Sequence, residues 1–231
     1  TFNPCVDTFN KLLLAVRHQV DSVIVVDNGS AESILIDLGH LCKSSASSLI
    51  KLEFNKGIAF AQNAGIEAAK NSGAQYVVLF DHDSCPAPDM VHQLWMVAEQ
   101  KAALGINVGG VGARYVDDRQ NNPPPFIRVI GLKVHRQPCL CDGSVVEVDY
   151  LIASGCLIPV NTLNLVGGMN EALFIDYVDI EWGLRAKSKG FTSFGVCAAK
   201  MAHDLGDDPI VFLGKKYPAH SPLRHYYHFR N

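Results

Sequence analysis

Asp81-His82-Asp83 stands directly behind the apolar run QYVVLF at 75–80. Two carboxylates two residues apart share one side of an extended backbone. Hard carboxylate oxygens suit Mg²⁺ or Mn²⁺, which take one or two protein carboxylates together with substrate phosphates. A DxD triplet is common, and solvated or capping aspartates in a loop would explain it; its place behind a buried-strand pattern gives it weight. A second acidic group lies in DYVDIEW at 176–182, where Asp176, Asp179 and Glu181 open a helical pattern. Acids there complement the helix dipole. Val178, Ile180 and Trp182 interleave them, which points to partial burial and a carboxylate tuned for general-base work.

Two further polar clusters follow strand-like runs. In VDNGS at 26–30, Asp27 could accept from the imide N–H of uracil or thymine, and Gly29 lets backbone approach a ligand. Taken by itself, an ordinary turn with Ser30 as helix N-cap is the better reading. NKGIAFAQNAG at 55–65 opens a helix whose N-terminus favours anions, with Asn63 in reach of a base or ribose. It is neither a GxxxxGK loop nor a GxGxxG fingerprint, and close helix–sheet packing explains its Ala and Gly but not its Asn residues. His203, in HDLGD at 203–207, becomes a third metal ligand only if the fold returns it to Asp83; a lone histidine is more often structural.

The elements that would position these residues alternate along the first half. Helical patterns cover 11–19, 58–70 and 88–104; strand patterns cover 22–26, 49–54, 75–80 and 108–115. Such alternation predicts an α/β fold with a mostly parallel, doubly wound sheet and helices on both faces. Ligands then sit at the carboxyl ends of the strands, where residues 1–3, 27–30 and 81–84 would gather. Beyond residue 116 the pattern loosens. A loop is expected around 121–125, irregular strands over 145–159, a helix within 174–189 stopped by Gly190, and a strand at 191–197. With no internal repeat, one domain is expected, with halves at 1–115 and 116–231. Thr1-Phe2-Asn3-Pro4 reads as the end of a strand, and the last residues carry no helix-stop signal, so both termini are expected to be truncated.

With 231 residues, 48% hydrophobic and 19% charged, the chain can bury a sizeable core. A net charge of −3 argues against a nucleic-acid partner. Seven cysteines, odd in number, irregularly spaced and without CxxC, read as reduced thiols rather than a disulfide framework or zinc site. Neither a signal peptide nor a run of the ~18 apolar residues needed to span a bilayer is read. Membrane contact would need a surface patch. HSPLRHYYHFRN at 220–231 could face anionic lipid or a lipid-linked acceptor, or be a packed terminal helix.

In order along the chain, TFNP, VDNGS, NKGIAFAQNAGI, DHDS, ASGCLI, VDIEWGLR and HDLGD resemble family 2 of the inverting glycosyltransferases. The wording is similar to bacterial rhamnosyltransferases, which use dTDP-L-rhamnose to build O-antigen and other surface polysaccharides. The resemblance covers nearly the whole chain. It implies an A-type glycosyltransferase fold, with a smaller mixed sheet in the acceptor half, and a metal-dependent transfer from a nucleotide sugar to a glycan or lipid-linked acceptor. The location implied is the cytoplasm, with contact at the inner face of the cell membrane left open. Residue by residue, it puts Thr1 and Asn3 in the nucleotide pocket, mostly through backbone, and Asp27 on the base with Asn28 and Ser30 nearby. Asn55, Gly57 and Asn63 close that pocket. Asp81 would meet ribose or a metal water, Asp83 the Mg²⁺ or Mn²⁺, and His203 the same ion. Asp179 falls at the catalytic base, Glu181 one step deeper as a supporting acid, and Asp176 as the rival base. Trp182 would stack on a sugar, and Gly155 would sit on the acceptor side. His82 departs from the Gln more frequent in the rhamnosyl relatives, and Val178 stands where the family's acid pair begins. Alternatives are another nucleotide-sugar donor, a sugar nucleotidyltransferase, or a non-catalytic nucleotide-sugar-binding module.

Overall fold

The computed structural model describes residues 1–116, 126–131, 133–203, 210–212, 215–217 and 222–231; of Val116, His203, Leu223 and residues 210–212 and 215–217 it describes the backbone alone. Helix α1 (Val6–Val16) buries Phe9, Leu12, Leu13 and Val16, a single stripe at helical spacing. It begins five residues before the helical pattern expected at 11–19. Strand β1 (Ile24–Asp27) and β2 (Ser48–Lys51) pair in parallel. They are joined by α2 (Glu32–Ser44), a helix whose pattern is faint because it buries only Leu38 and Cys42. Helix α3 (Ile58–Asn71) packs on β1, and strand β3 (Tyr76–Leu79) leads through a turn to β4 (Ser84–Pro86). Helix α4 (Met90–Ala103) then precedes the long strand β5 (Val108–Val116).

The second half supplies a hairpin of β6 (Phe126–Ile130) and β7 (Lys133–Gln137), then β8 (Val145–Val148), β9 (Cys156–Pro159) and α5 (Val160–Val166). After a 3-10 turn at Glu171–Leu173 come α6 (Val178–Ser188), β10 (Thr192–His203), a small hairpin of β11 (Ile210–Phe212) and β12 (Lys215–Tyr217), and α7 (Pro222–Arg230). Gly190, at φ 84°, follows α6 as expected of a helix stop.

The α/β expectation is met, but the main sheet is mixed rather than mostly parallel. Its order is β3-β9-β5-β10-β4, with β8 also on β10. Only β5 and β10 run parallel within it; β9 enters antiparallel between β3 and β5, and β4 and β8 lie antiparallel on β10. Inserting β9 carries the loop before it, residues 153–155, to the end of β3. Strand β10 has a register irregularity between Val196 and Lys200. Three apolar clusters hold the layers: α4 against β5 and β10, α5 and α6 against the opposite face, and α1 with α2 against β1.

The expectation of reduced thiols is corrected at one pair. Cys139 is disulfide-bonded to Cys197, which is fully buried in the irregular part of β10. Cys5, Cys42, Cys85, Cys141 and Cys156 are free. Spacing in sequence carried no sign of this bond, because 58 residues separate its ends. Among the described residues no helix is long and apolar enough to cross a membrane.

Closing a loop of 58 residues should stabilise the fold by about 4 kcal/mol on chain-entropy grounds. Cys139→Ser is therefore expected to lower the denaturant midpoint. An equal midpoint for the native chain with and without reductant would count against the bond.

Candidate functional site

A cleft of about 1500 Å³ runs between the β1 side and the β3 end of the main sheet, and the loop before α6 closes one end. Thr1, Asn28, Asn55, Gly57, Asp81, Asp83, Asp176 and Asp179 all line it. The fold thus gathers the strand-end clusters at one place, as expected of an α/β sheet. Within the clusters the structure divides cleft residues from residues that brace them.

Asp27 is a brace. It is completely buried, and its carboxylate accepts from Thr1 Oγ1 (3.1 Å), Ser30 Oγ (2.5 Å), Gly29 N–H (3.1 Å) and Ser30 N–H (2.9 Å). A buried carboxylate needs such partners, and these leave it behind the cleft wall. The expectation that it binds the base is corrected; Asn28 is the residue of this turn that reaches the cleft. Ser30 is buried in the same network. Asn3, at φ 43°, donates its N–H to Ser30 Oγ and accepts from Ala31 N–H at the start of α2. Neither Asn3 nor Ser30 lines the cleft, whereas Phe2 does.

Asn28 links this turn to the next cluster. Its Nδ2 donates to Asn55 Oδ1 (3.0 Å) and to the Gly57 carbonyl (3.2 Å), and its Oδ1 accepts from Lys56 N–H (2.9 Å). Gly57, at φ 90°, leaves no space for a side chain: a Cβ there would lie 2.6 Å from the Phe174 carbonyl oxygen. Ile58 N–H donates to that same oxygen at 2.6 Å, so the donor-side loop touches the segment before α6. Asn63 does not reach the cleft. Its amide is consumed by Met169 N–H, the Met169 carbonyl and Glu171, which corrects its expected contact with base or ribose.

Asp81, His82 and Asp83 lie on a turn between β3 and β4, not on extended backbone; Ser84 N–H donates to the Asp81 carbonyl at 3.2 Å. The turn is required because β4 reverses direction to pair with β10. Ser154, buried, pins it: its Oγ accepts from Asp81 N–H (3.1 Å) and shares a hydrogen bond with Ser84 Oγ (2.6 Å). His203 faces Ser84 in the β10–β4 register, so its backbone does return to this turn; its side chain is outside the described residues. Among the described residues no group of three His, Cys, Asp or Glu could hold a metal ion. Two hard carboxylates on one cleft wall nevertheless match the donor set Mg²⁺ and Mn²⁺ use alongside phosphate oxygens.

The helix α6 presents Asp179 to the cleft. Ile180 N–H donates to its Oδ1 (2.9 Å) and Ala153 N–H to its Oδ2 (3.3 Å). Burial pushes this carboxyl above the ordinary carboxylate range; the two backbone amides pull it back, and the charge on Asp81 adds to the rise. Asp176, the expected rival, is forked by Arg224, with Nε at 3.1 and 3.3 Å and Nη2 at 3.0 Å, and lies 3.5 Å from His228 Nε2. The guanidinium fork occupies its oxygens, which sets it aside as the base. Glu181 does not support Asp179: it lies outside the cleft lining and is held by Arg185 at 2.7 and 3.0 Å, one helical turn on. Trp182 is only 4% exposed, donates from Nε1 to the Gly167 carbonyl and packs with Ile66, Leu163 and Ala186, so it is core rather than a sugar platform. Gly155 is also structural: at φ 73°, a Cβ would lie 3.1 Å from both Ala113 Cβ and Met201 Sδ.

Sequence reasoning missed Ser154, the Ala153 amide, Arg224 and His228. The first two lie in the ASGCLI segment, where small residues between apolar ones gave a signal of tight backbone approach. The last two lie in the basic, aromatic stretch read as either lipid-facing or packed; α7 places Arg224 and His228 on the cleft, while Tyr226 and Phe229 stay exposed.

With this geometry in hand, residues 1–148 match the profile described as Glycosyl transferase family 2. The whole chain is 31% identical over 232 residues to dTDP-rhamnosyl transferase RfbF of Shigella flexneri, covering 76% of that protein. The fold is similar to that of GalNAc-T7 crystallised with UDP, GalNAc and Mn²⁺, at a TM-score of 0.61 and 12% identity over 87% of this chain and 39% of that one. It is similar to S. aureus TarS at a TM-score of 0.61 and 14% identity, over 89% of this chain and 36% of that one. The chain therefore spans well under half the length of either solved chain, and at such identities these two speak for an A-type glycosyltransferase fold alone. The full-length relative and the profile over more than half the chain carry the conclusion that the chain belongs to glycosyltransferase family 2.

Proposed function

We propose that the chain moves L-rhamnose from dTDP-L-rhamnose, with inversion and with a divalent metal ion, to a hydroxyl of a glycan or lipid-linked acceptor in bacterial surface polysaccharide synthesis. The observation that carries the mechanism is Asp179: a part-buried carboxylate, raised in pKa, on the same cleft as Asp81 and Asp83. The 31% identity to a dTDP-rhamnosyl transferase supports the donor. Residues 1–115 would hold the nucleotide sugar, with Thr1, Asn28, Asn55 and Gly57 on the cleft, and the later residues the acceptor.

Asp179 takes the proton from the acceptor hydroxyl as its oxygen attacks the anomeric carbon. The bond from that carbon to the diphosphate oxygen breaks on the opposite face, and its electron pair leaves with the diphosphate. One displacement inverts the centre, so one base suffices. Burial makes Asp179 a stronger base than a solvated aspartate, and the Ala153 amide holds it in place. A diphosphate entering beside Asp81, Asp83 and Asp179 meets like charge. Asp83, with Asp81 directly or through water, would hold Mg²⁺ or Mn²⁺, which supplies Lewis-acid neutralisation of the leaving group.

Asp179→Asn is expected to keep donor binding and lose transfer by roughly 10²–10⁴-fold; near-normal turnover would remove it as the base. The folded Asp179 carboxyl keeps its proton to higher pH than the unfolded chain does, so stability contributed by the neutral form fades as pH rises through that window. The neutral amide escapes this loss, and Asp179→Asn should melt no lower than the native chain at pH 7. For the same reason the acid limb of kcat should lie above the ordinary aspartate value of about 4; a limb at or below it contradicts the assignment.

Calorimetric donor affinity should rise with Mn²⁺ and lose that dependence in Asp83→Ala. Affinity in the native chain indifferent to Mn²⁺ sinks the metal reading. In a thermal-shift panel of dTDP-, UDP- and GDP-sugars, dTDP-L-rhamnose should give the largest stabilisation, and an equal shift from a UDP-sugar refutes the donor assignment.

A further inference from the structure

The loop into α6 has an unusual backbone. Phe174 (φ 47°), Asp176 (φ 63°) and Tyr177 (φ 59°) are all left-handed, and none is glycine. Such conformations persist only where the surroundings over-determine them, and they concentrate at functional sites. Tyr177 is the N-cap of α6 and has no side-chain cap bond. The direction of the helix, and with it Asp179 two residues on, therefore follows from what holds this loop.

Much of what holds it comes from α7 and the residue after it. Arg224 forks onto Asp176; Tyr227 stacks on Phe174 with centroids 4.9 Å apart and planes 14° apart. Asn231 Nδ2 donates to the Leu173 (2.8 Å) and Ile175 (2.7 Å) carbonyls, and Arg230 donates to the Ala172 carbonyl. Asp176 is only 10% exposed in its side chain while Arg224 is 36% exposed; the two-pronged geometry, more than burial, makes the contact directional. The geometry points to Arg224 as a positioning residue for transfer: by fixing Asp176 in its left-handed turn, it aims Asp179 at the acceptor oxygen.

This inference rests on Asp179 as the base. A displacement of about 1 Å at a reacting group can cost on the order of 10²-fold in rate, and Lys cannot reproduce a two-pronged fork. With the 231-residue chain, dTDP-L-rhamnose and a polysaccharide acceptor, Arg224→Ala should lower kcat by about 10²-fold. Donor affinity by calorimetry should stay within about twofold, because no bond to donor is removed. Arg224→Lys should restore part of the rate, and Arg224→Ala combined with Asp176→Asn should lose less than the sum of the single variants, because the Arg224–Asp176 contact is common to both. A rate unchanged in Arg224→Ala, or additive losses in the double variant, overturns the inference. Loss of donor affinity in both Arg224 variants overturns it too, by making Arg224 a donor ligand. Should Arg224→Ala fail to fold, Arg224→Lys with Asp176→Asn carries the same cycle. Normal turnover in Asp179→Asn beside a coupled Arg224–Asp176 pair would sink the base assignment alone.

Discussion

Three consecutive residues hold the two acidic centres in register. Ala153 N–H donates to Asp179, Ser154 Oγ takes the Asp81 amide and meets Ser84, and Gly155 N–H donates to the Leu79 carbonyl at 2.8 Å. Each contact needs a small residue or bare backbone at close range, which Ala-Ser-Gly provides. The segment is delivered by β9, whose antiparallel entry between β3 and β5 places its leading loop at the end of the DHD strand. A wholly parallel sheet has no such strand to deliver it. The mixed topology is thus the condition for the site.

Asp176 and Asp179 illustrate how environment separates chemically identical groups. They are three residues apart and line the same cleft. One is met by a guanidinium and fixed in place; the other is buried against two amides and an acidic neighbour, so that its proton is held more tightly. Division of two carboxylates into a structural anchor and one whose pKa is raised follows from surroundings alone. The sequence pattern around them, alternating acids and apolar residues, contains both possibilities.

Much of the scaffold was legible because buried strands and amphipathic helices impose periods on the chain. The strands ending at Asp27 and Leu79, the helix over 58–71 and the acid-opened α6 fall near where periodicity puts them. Helix α2 was illegible because half-exposed residues dilute its stripe; β9 falls within the irregular strands expected over 145–159, but its antiparallel place between β3 and β5 is set by pairing with distant strands and leaves no mark on its own residues. In the site, residue type announced polarity but not direction. Asn63, Glu181 and Trp182 carry groups suited to a ligand, yet each is consumed by an internal partner that lies far off in sequence or one turn along the helix. The Arg224–Asp176 fork spans 48 residues and the disulfide 58; separations of that kind become visible only when a fold has brought the ends together.

The disulfide also divides the cleft by topology. The ring it closes, from Cys139 to Cys197, contains β8, β9, α5, α6 and the first half of β10, and so the entire stretch that carries Asp179 and the residues 153–155. The opposite wall, built from α1, β1 and β2, lies outside the ring and is retained by apolar packing and the Asp27 network. The wall that carries Asp179 is thus bounded covalently, while the other depends on non-covalent contacts alone, and local opening costs least where no covalent link has to be respected.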